Sequence, residues 1–99
     1  MLQIDKHAEE KALTLVLTGR LDTTTAPELE SVVKENTAGV EKLEFDCSKL
    51  EYISSAGLRV LLASQKIMNK QGSMVVRNIS EEIREIFDVT GFSDILTIE

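Results

Sequence analysis

The sequence predicts an α/β fold in which helices pack against one mixed β-sheet. Segments that alternate apolar and polar residues, as strands do, recur between segments whose apolar residues follow the helical period. Helix-capping residues and glycines separate these segments, and 99 residues suffice for one hydrophobic core. We therefore expect a single domain over residues 1–99, with a four- to five-stranded sheet and three to four α-helices.

The first part of the chain predicts a β-hairpin followed by a helix. Residues 2–4 and 13–18 alternate in polarity, which is typical of strands, and the charged segment 7–11 is expected to connect them. Thr25-Ala26-Pro27-Glu28 has the layout of a capping box, and a proline is tolerated in the first helical turn. The helix that follows is expected to end near residues 36–39, where a glycine suits the left-handed cap.

The remainder of the chain continues the same alternation of strands and helices. The expected elements are a strand at 43–47, the longest helix at about 56–70, a strand at 74–77, a helix capped by Ser80, and an optional fifth strand at 95–98. The long helix is apolar on two sides, with a narrow basic stripe of Arg59, Lys66 and Lys70 between them. Such a helix is either buried on both sides or leaves one apolar strip for a partner.

Composition restricts the classes of partner. Eleven Lys and Arg residues are scattered among seventeen acidic residues, which gives a net charge of −6. Nucleic-acid binding needs a clustered basic surface, and aromatic stacking platforms are also scarce in a chain with one Tyr and no Trp. We therefore expect no nucleic-acid partner, whereas a basic protein surface would be attracted to this domain.

The sequence also indicates the compartment. No apolar run approaches the roughly 18 residues of a membrane span, and the N-terminus lacks the layout of a signal peptide. The single cysteine, Cys47, excludes an internal disulfide framework, and its place on an alternating strand predicts a small buried apolar group. We expect a cytoplasmic protein that does not enter the membrane.

Residues for catalysis or metal binding do not assemble into a known pattern. The chain lacks the G-x-S-x-G, Walker and G-x-G-x-x-G motifs, and its only histidine, His7, lies in the segment expected to be a charged connection. Asp22 and Asp46 are both expected near strand ends, where they either neighbour each other as a hard-cation site or are simply solvated. The expectation is a protein that is not an enzyme and uses no metal or cofactor.

The most informative segment runs from Tyr52 to Leu62 and contains Ser54-Ser55-Ala56-Gly57, where an apolar strand gives way to the long helix. Its hydroxyls lie near the unpaired N–H groups of the first helical turn, where the helix dipole favours negative charge. This suits a site of reversible phosphorylation, with the N–H groups of Gly57 and Leu58 expected to receive the phosphate. A glycine would also leave room for a partner to approach. The alternative interpretation is that either serine is simply an N-cap.

Three motifs carry a family resemblance that covers nearly the whole chain. The segment 46–58 resembles the signature of the STAS family, which anti-sigma factor antagonists share with the tails of sulfate transporters. Thr18-Gly19-Arg20-Leu21-Asp22 resembles the family's T-G-x-L-D segment, and Phe87-Asp88-Val89-Thr90-Gly91 resembles its F-x-x-(S/T)-G segment. The resemblance implies a bacterial partner-switching protein. In its unphosphorylated form, such a protein binds an anti-sigma factor that is also a serine kinase, and so releases a sigma factor.

By position, the resemblance places the phosphorylated residue at Ser55 and assigns its dephosphorylation to a PP2C-type phosphatase. The sequence departs from the family pattern at Ser54, which replaces the usual acid, and at Ala56, which replaces a second hydroxyl. Ser54 therefore competes as the acceptor. The partner surface is expected to comprise Asp22, Thr23, Thr24, Ser54, Ser55, Ala56, Gly57, Leu58 and Arg59.

Two other functions remain open from the sequence. One is a STAS scaffold subunit of a larger regulatory or transporter-associated complex, without a phosphoswitch. The other is a small hydrolase or ligand-binding enzyme of the same α/β class. Magnesium and nucleotide would belong to the partner kinase rather than to this chain. The expected state is a monomer, or at most a weak dimer.

Overall fold

Four strands and three helices form in the order that the sequence predicts. The computed structural model describes all 99 residues, Met1–Glu99. The elements are β1 (Leu2–Glu9), β2 (Ala12–Leu21), α1 (Ala26–Asn36), β3 (Lys42–Ile53), α2 (Ser55–Asn69), β4 (Ser73–Arg77), α3 (Glu81–Thr90) and a 3₁₀ turn at Phe92–Asp94. The predicted α/β class is confirmed.

The sheet is mixed, and its strands lie in chain order, β1-β2-β3-β4. β1 pairs antiparallel with β2, whereas β2, β3 and β4 are parallel and are connected through α1 and α2. Leu13, Leu15 and Leu17 are buried on one face of β2 and join the helices in a single core, while Thr14 and Val16 on the other face are only half-buried. The helices therefore cover one face of the sheet and leave the other open.

The hairpin is longer than predicted. Residues 7–11 do not form a charged connection, because β1 extends to Glu9 and only Glu10 and Lys11 make the turn. His7 pairs with Thr14 within the sheet. Polarity alternation is weak on an exposed edge strand, so the sequence pattern understates its length, and main-chain pairing decides where the strand ends.

β3 is also longer than predicted, and its length corrects one candidate site. Asp46 lies in the middle of β3, where its carboxylate accepts a hydrogen bond from the Ser48 N–H at 3.0 Å beside an irregularity in the strand register. It pairs with Val16, six residues before Asp22, so along the strand it is about 20 Å from Asp22. The two carboxylates are not neighbours, and the structure contains no group of three or more candidate metal ligands.

The C-terminal segment forms one bridge instead of a fifth strand. The Val76 N–H donates to the Thr97 carbonyl at 2.9 Å, and the Glu99 N–H donates to the Val76 carbonyl at 3.0 Å. The predicted Ser80 cap of α3 is confirmed, since Ser80 Oγ accepts from the Ile83 N–H at 3.2 Å, and the helix ends at Gly91, which has a left-handed φ of 81°. No helix has the length and apolar character needed to cross a bilayer.

The longest helix is buried along one of its two apolar sides, whereas the other side is only partly buried, since Ala63 on it is exposed. Leu58 and Leu61 on one side, and Val60 on the other, all belong to the core cluster. Cys47 is buried as predicted, and burial raises the pKa of its thiol to about 12. Arg59 remains exposed at the first turns of α2, so the basic stripe reaches solvent there.

Candidate functional site

The two serines that precede and begin α2 have different environments. Ser54 is the N-cap residue, with extended backbone angles, and Ser55 is the first residue of the helix. The Ser55 side chain is exposed, whereas Ser54 Oγ is buried and has no hydrogen-bond partner. Of the two hydroxyls, only that of Ser55 is open to another protein.

The backbone N–H groups around Ser55 are free of intrahelical partners. The Leu58 N–H donates to the Ser54 carbonyl at 3.0 Å, so it is not available to an anion, contrary to the prediction. The N–H groups of Ser55, Ala56 and Gly57 come before the first helical hydrogen bond and make none of their own. An anion at this helix end would therefore meet these N–H groups and the positive end of the helix dipole.

Gly57 serves internal packing rather than access for a partner. A Cβ atom at this position would lie 2.6 Å from Leu21 Cγ and 2.9 Å from Ile53 Cγ1. The glycine thus lets α2 approach the ends of β2 and β3, and its predicted role as open space for a partner is wrong. Leu58 is also buried, at 3% exposure. Both residues were predicted on the partner surface, and both lie beneath it.

The loop between β2 and α1 is held by Asp22. Its Oδ1 accepts hydrogen bonds from the Thr24 N–H at 3.0 Å, from Thr24 Oγ1 at 2.7 Å and from the Thr25 N–H at 3.2 Å. The bond from the Thr24 hydroxyl is the main cause that lowers the pKa of Asp22, although partial desolvation opposes it. Asp22 therefore remains ionised and fixes the shape of the loop, while Thr23 is exposed.

Thr25 does not form the predicted capping box. It occupies the N-cap position of α1, but its side chain makes no bond to the first helical turn. Its hydroxyl instead accepts from the Asp22 N–H at 2.8 Å and donates to the Arg20 carbonyl at 2.8 Å. The buried hydroxyl joins the end of β2 to the start of α1, because the loop's own polar groups compete successfully for it.

Arg20 and Tyr52 form a contact that the sequence pattern does not predict. The Arg20 guanidinium lies 4.3 Å from the centre of the Tyr52 ring, a cation–π geometry, and its Nε is 3.7 Å from Asp22 Oδ2. The two residues pair across β2 and β3 only after two register shifts. Polarity alternation alone could not have revealed that register.

A shallow cleft of about 210 Å³ joins the β2–α1 loop to the first turns of α2. Small apolar, polar and charged side chains line it together; the lining residues are Thr23, Ala26, Pro27, Glu30, Ala56, Arg59 and Val60. The structure thus brings together two sequence segments that were predicted to share one surface. Pro27 and Glu30 were not predicted there, since their place depends on how α1 packs against α2.

The geometry of this surface defines a class of protein. An exposed hydroxyl, free helix N–H groups and a shallow cleft form an open surface, which suits recognition by another macromolecule better than enclosure of a small substrate. This is the organisation of an α/β recognition domain.

Comparison with known sequences identifies the family. Residues 3–99 match the STAS domain, and the chain belongs to that family. It is 31% identical over 99 residues to the anti-sigma-B factor antagonist of Bacillus subtilis, an alignment that covers 98% of this chain and 90% of the relative. The anti-sigma-B factor antagonist of Staphylococcus epidermidis is 27% identical over 99 residues, covering 98% and 92% of the two chains. The predicted resemblance is confirmed.

Solved structures share the fold. An anti-sigma factor antagonist from Mycobacterium paratuberculosis superimposes with a TM-score of 0.89 at 22% identity, covering 99% of this chain and 85% of that one. The unphosphorylated form of the anti-sigma factor antagonist SpoIIAA gives a TM-score of 0.77 at 16% identity, covering 100% and 87% of the two chains. These likenesses establish the architecture of the domain.

Proposed function

We propose that this chain is an anti-sigma factor antagonist controlled by phosphorylation of Ser55. In the unphosphorylated state it would bind an anti-sigma factor that is also a serine kinase, and so release a sigma factor. The observation that carries the proposal is the exposed Ser55 hydroxyl at the first position of α2, beside N–H groups that have no partner. Membership of the STAS family and the names of the sequence relatives agree with it.

Phosphate at Ser55 would change the surface more than the fold. It would add about 1.5 to 2 negative charges and three acceptor oxygens. The helix dipole and the free N–H groups of the first turn favour an anion by about 0.3–1 kcal/mol, so we expect little refolding. Across an interface, the same dianion would be desolvated or would meet carboxylates. A loss of about 3 kcal/mol there weakens binding more than a hundredfold.

The surroundings favour Ser55 over its neighbours as the acceptor. Ser54 Oγ is buried, so a kinase would reach it only after the start of α2 opened. Position 56 carries an alanine, so it offers no hydroxyl. Replacement of the usual acid by Ser54 therefore adds a hydroxyl to the sequence without adding an accessible phosphorylation site.

The proposed partner surface has Ser55 and Ala56 near its centre, with Arg59 on one side and Asp22, Thr23 and Thr24 on the other. The hydrogen bonds of Asp22 hold the loop in one shape, which lowers the entropic cost of binding. A PP2C-type phosphatase would restore the unphosphorylated form. The cytoplasm, where kinase and sigma factor act, is the proposed location, and the chain would act as a monomer.

The test combines phosphorylation with binding. The chain is incubated with the anti-sigma factor kinase of its own organism and ATP, and the phosphopeptide is mapped by mass spectrometry. We expect phosphate on Ser55 in the parent and in Ser54→Ala, and none in Ser55→Ala. By calorimetry, Ser55→Ala should bind the kinase, whereas Ser55→Asp should bind more than about a hundredfold more weakly. Equal affinities of the two variants would refute the switch. A stable complex with a transporter, unaffected by ATP, would favour a scaffold instead.

A further inference from the structure

Ser55 and Arg59 lie on the same side of α2. They are four residues apart in a regular helix, which places them about 40° apart around the axis and about 6 Å apart along it. Both side chains are exposed. A group attached to Ser55 Oγ would therefore lie within reach of the long Arg59 side chain.

Arg59 has no charged partner in the structure. Two other arginines already have acidic partners: Arg20 pairs with Asp22, and Arg77 pairs with Glu44 at 3.0 Å. Glu30 lines the same cleft as Arg59 but lies 3.9 Å from Lys34, in an ion pair within α1. Arg59 takes part in no ion pair within 4.0 Å and in no side-chain hydrogen bond. Its guanidinium is therefore free to bind a new anion.

We infer that Arg59 is the internal counter-ion of phosphorylated Ser55. The order of charges is the favourable one for residues four apart, with the anion nearer the N-terminus and the cation one turn later. A guanidinium also matches phosphate oxygens with two parallel N–H donors, which an ammonium group does not. The inference rests on the proposed modification of Ser55, but the ion pair itself requires only that Ser55 carries a phosphate.

The pairing would change two charges on the partner surface together. Phosphorylation adds the dianion and at the same time draws Arg59 away from the side of the cleft. Arg20 cannot take its place, because its guanidinium already lies over Tyr52 and beside Asp22. A partner carboxylate that contacts Arg59 would therefore lose its cation when Ser55 is modified. The partner chemistry that this predicts is an acidic side chain opposite Arg59.

The ion pair can be tested without the kinase. The chain is prepared with phosphoserine inserted at position 55 during translation, and the second pKa of the phosphate, ordinarily about 6, is followed by ³¹P NMR. An adjacent cation favours the dianion, so Arg59→Gln should raise this pKa by about half a unit or more relative to the parent. Lys66→Gln is the matched control: it removes the same charge from α2 eleven residues from Ser55, and it should leave the pKa unchanged.

A second measurement keeps the inference independent of folding defects. Phosphoserine at 55 should raise the Tm of the parent and of Lys66→Gln by more than it raises the Tm of Arg59→Gln. Equal phosphate pKa values in the parent and in Arg59→Gln would overturn the inference. Failure of the kinase to modify Ser55 would defeat the proposed function and leave these two results unaffected, so the two failures are distinguishable.

Discussion

Gly57 lies directly against Leu21, so closely that a Cβ atom on the glycine would be 2.6 Å from Leu21 Cγ. This contact sets how near the first turn of α2 comes to the end of β2. The Ser54 N–H, which donates to the Leu21 carbonyl at 2.9 Å, joins the same two elements through the backbone. The position of the Ser55 hydroxyl relative to the β2–α1 loop therefore depends on a residue that is itself buried.

Gly57→Ala should destabilise the domain. The added methyl group would overlap Leu21 and Ile53 side chains, and overpacking of this kind costs about 1–3 kcal/mol. The better helix propensity of alanine offsets up to about 1 kcal/mol of that cost. Urea unfolding measures the free energy change. Ala63→Gly, at an exposed position of α2, isolates the propensity contribution. A Gly57→Ala variant as stable as the parent would show that α2 can shift without cost.

Thr25→Val should also lower the free energy of unfolding. The change keeps the shape of the side chain but leaves the Asp22 N–H and the Arg20 carbonyl without the hydroxyl that both use. Both hydrogen bonds are partly buried, and leaving such groups unsatisfied costs up to about 1–3 kcal/mol. Thr23→Val is the control, because Thr23 is exposed and its hydroxyl makes no hydrogen bond within the chain. Chemical denaturation should separate the two variants, and equal stability would contradict the assigned role of Thr25.

Stability should fall in acid partly through Asp46. The Ser48 N–H is the main cause that lowers the pKa of this carboxyl, and the Asn78 amide assists. Because the folded pKa lies below the ordinary 3.8, the stabilisation is present above pH 3.8 and is lost as the pH falls through the lower, folded value. Asp46→Asn should therefore show a smaller drop in Tm than the parent between about pH 6 and pH 3.

The matched control for this prediction is Asp5→Asn, which removes an exposed carboxylate from β1. It should leave the acid-induced drop close to that of the parent. If Asp46→Asn and the parent lost Tm equally over this range, the hydrogen bond to Ser48 would contribute nothing to pH-dependent stability.

Cys47 should be unreactive in the folded protein. Its side chain is 1% exposed, and burial, with a smaller contribution from the Asp46 charge, raises the pKa of the thiol to about 12. Since the thiolate is the reactive form, labelling by Ellman's reagent at neutral pH should be roughly a hundredfold or more slower than in denaturing urea. Rapid labelling without denaturant would show that β3 opens locally.

Local sequence signals predicted much of the fold. Ser80 and Gly91 mark the limits of α3 because capping and left-handed geometry depend on a few neighbouring residues. The length of β1 was underestimated at His7 and that of β3 beyond Cys47, since pairing with a distant segment holds residues in a strand even where polarity alternation fails. The sequence likewise could not show that Thr25 would bond to the Arg20 carbonyl instead of to its own helix.

The amino-acid order by itself determined the α/β class, the family and the serine proposed as the acceptor, because each depends on periodicity or on a short motif. Tertiary packing alone decided which of the two adjacent hydroxyls is open to solvent. It also turned Gly57 inward and brought Pro27 and Arg59 to one cleft. The physical reason is that exposure and proximity arise where α1, α2 and the ends of β2 and β3 meet, and those contacts join residues far apart in the chain.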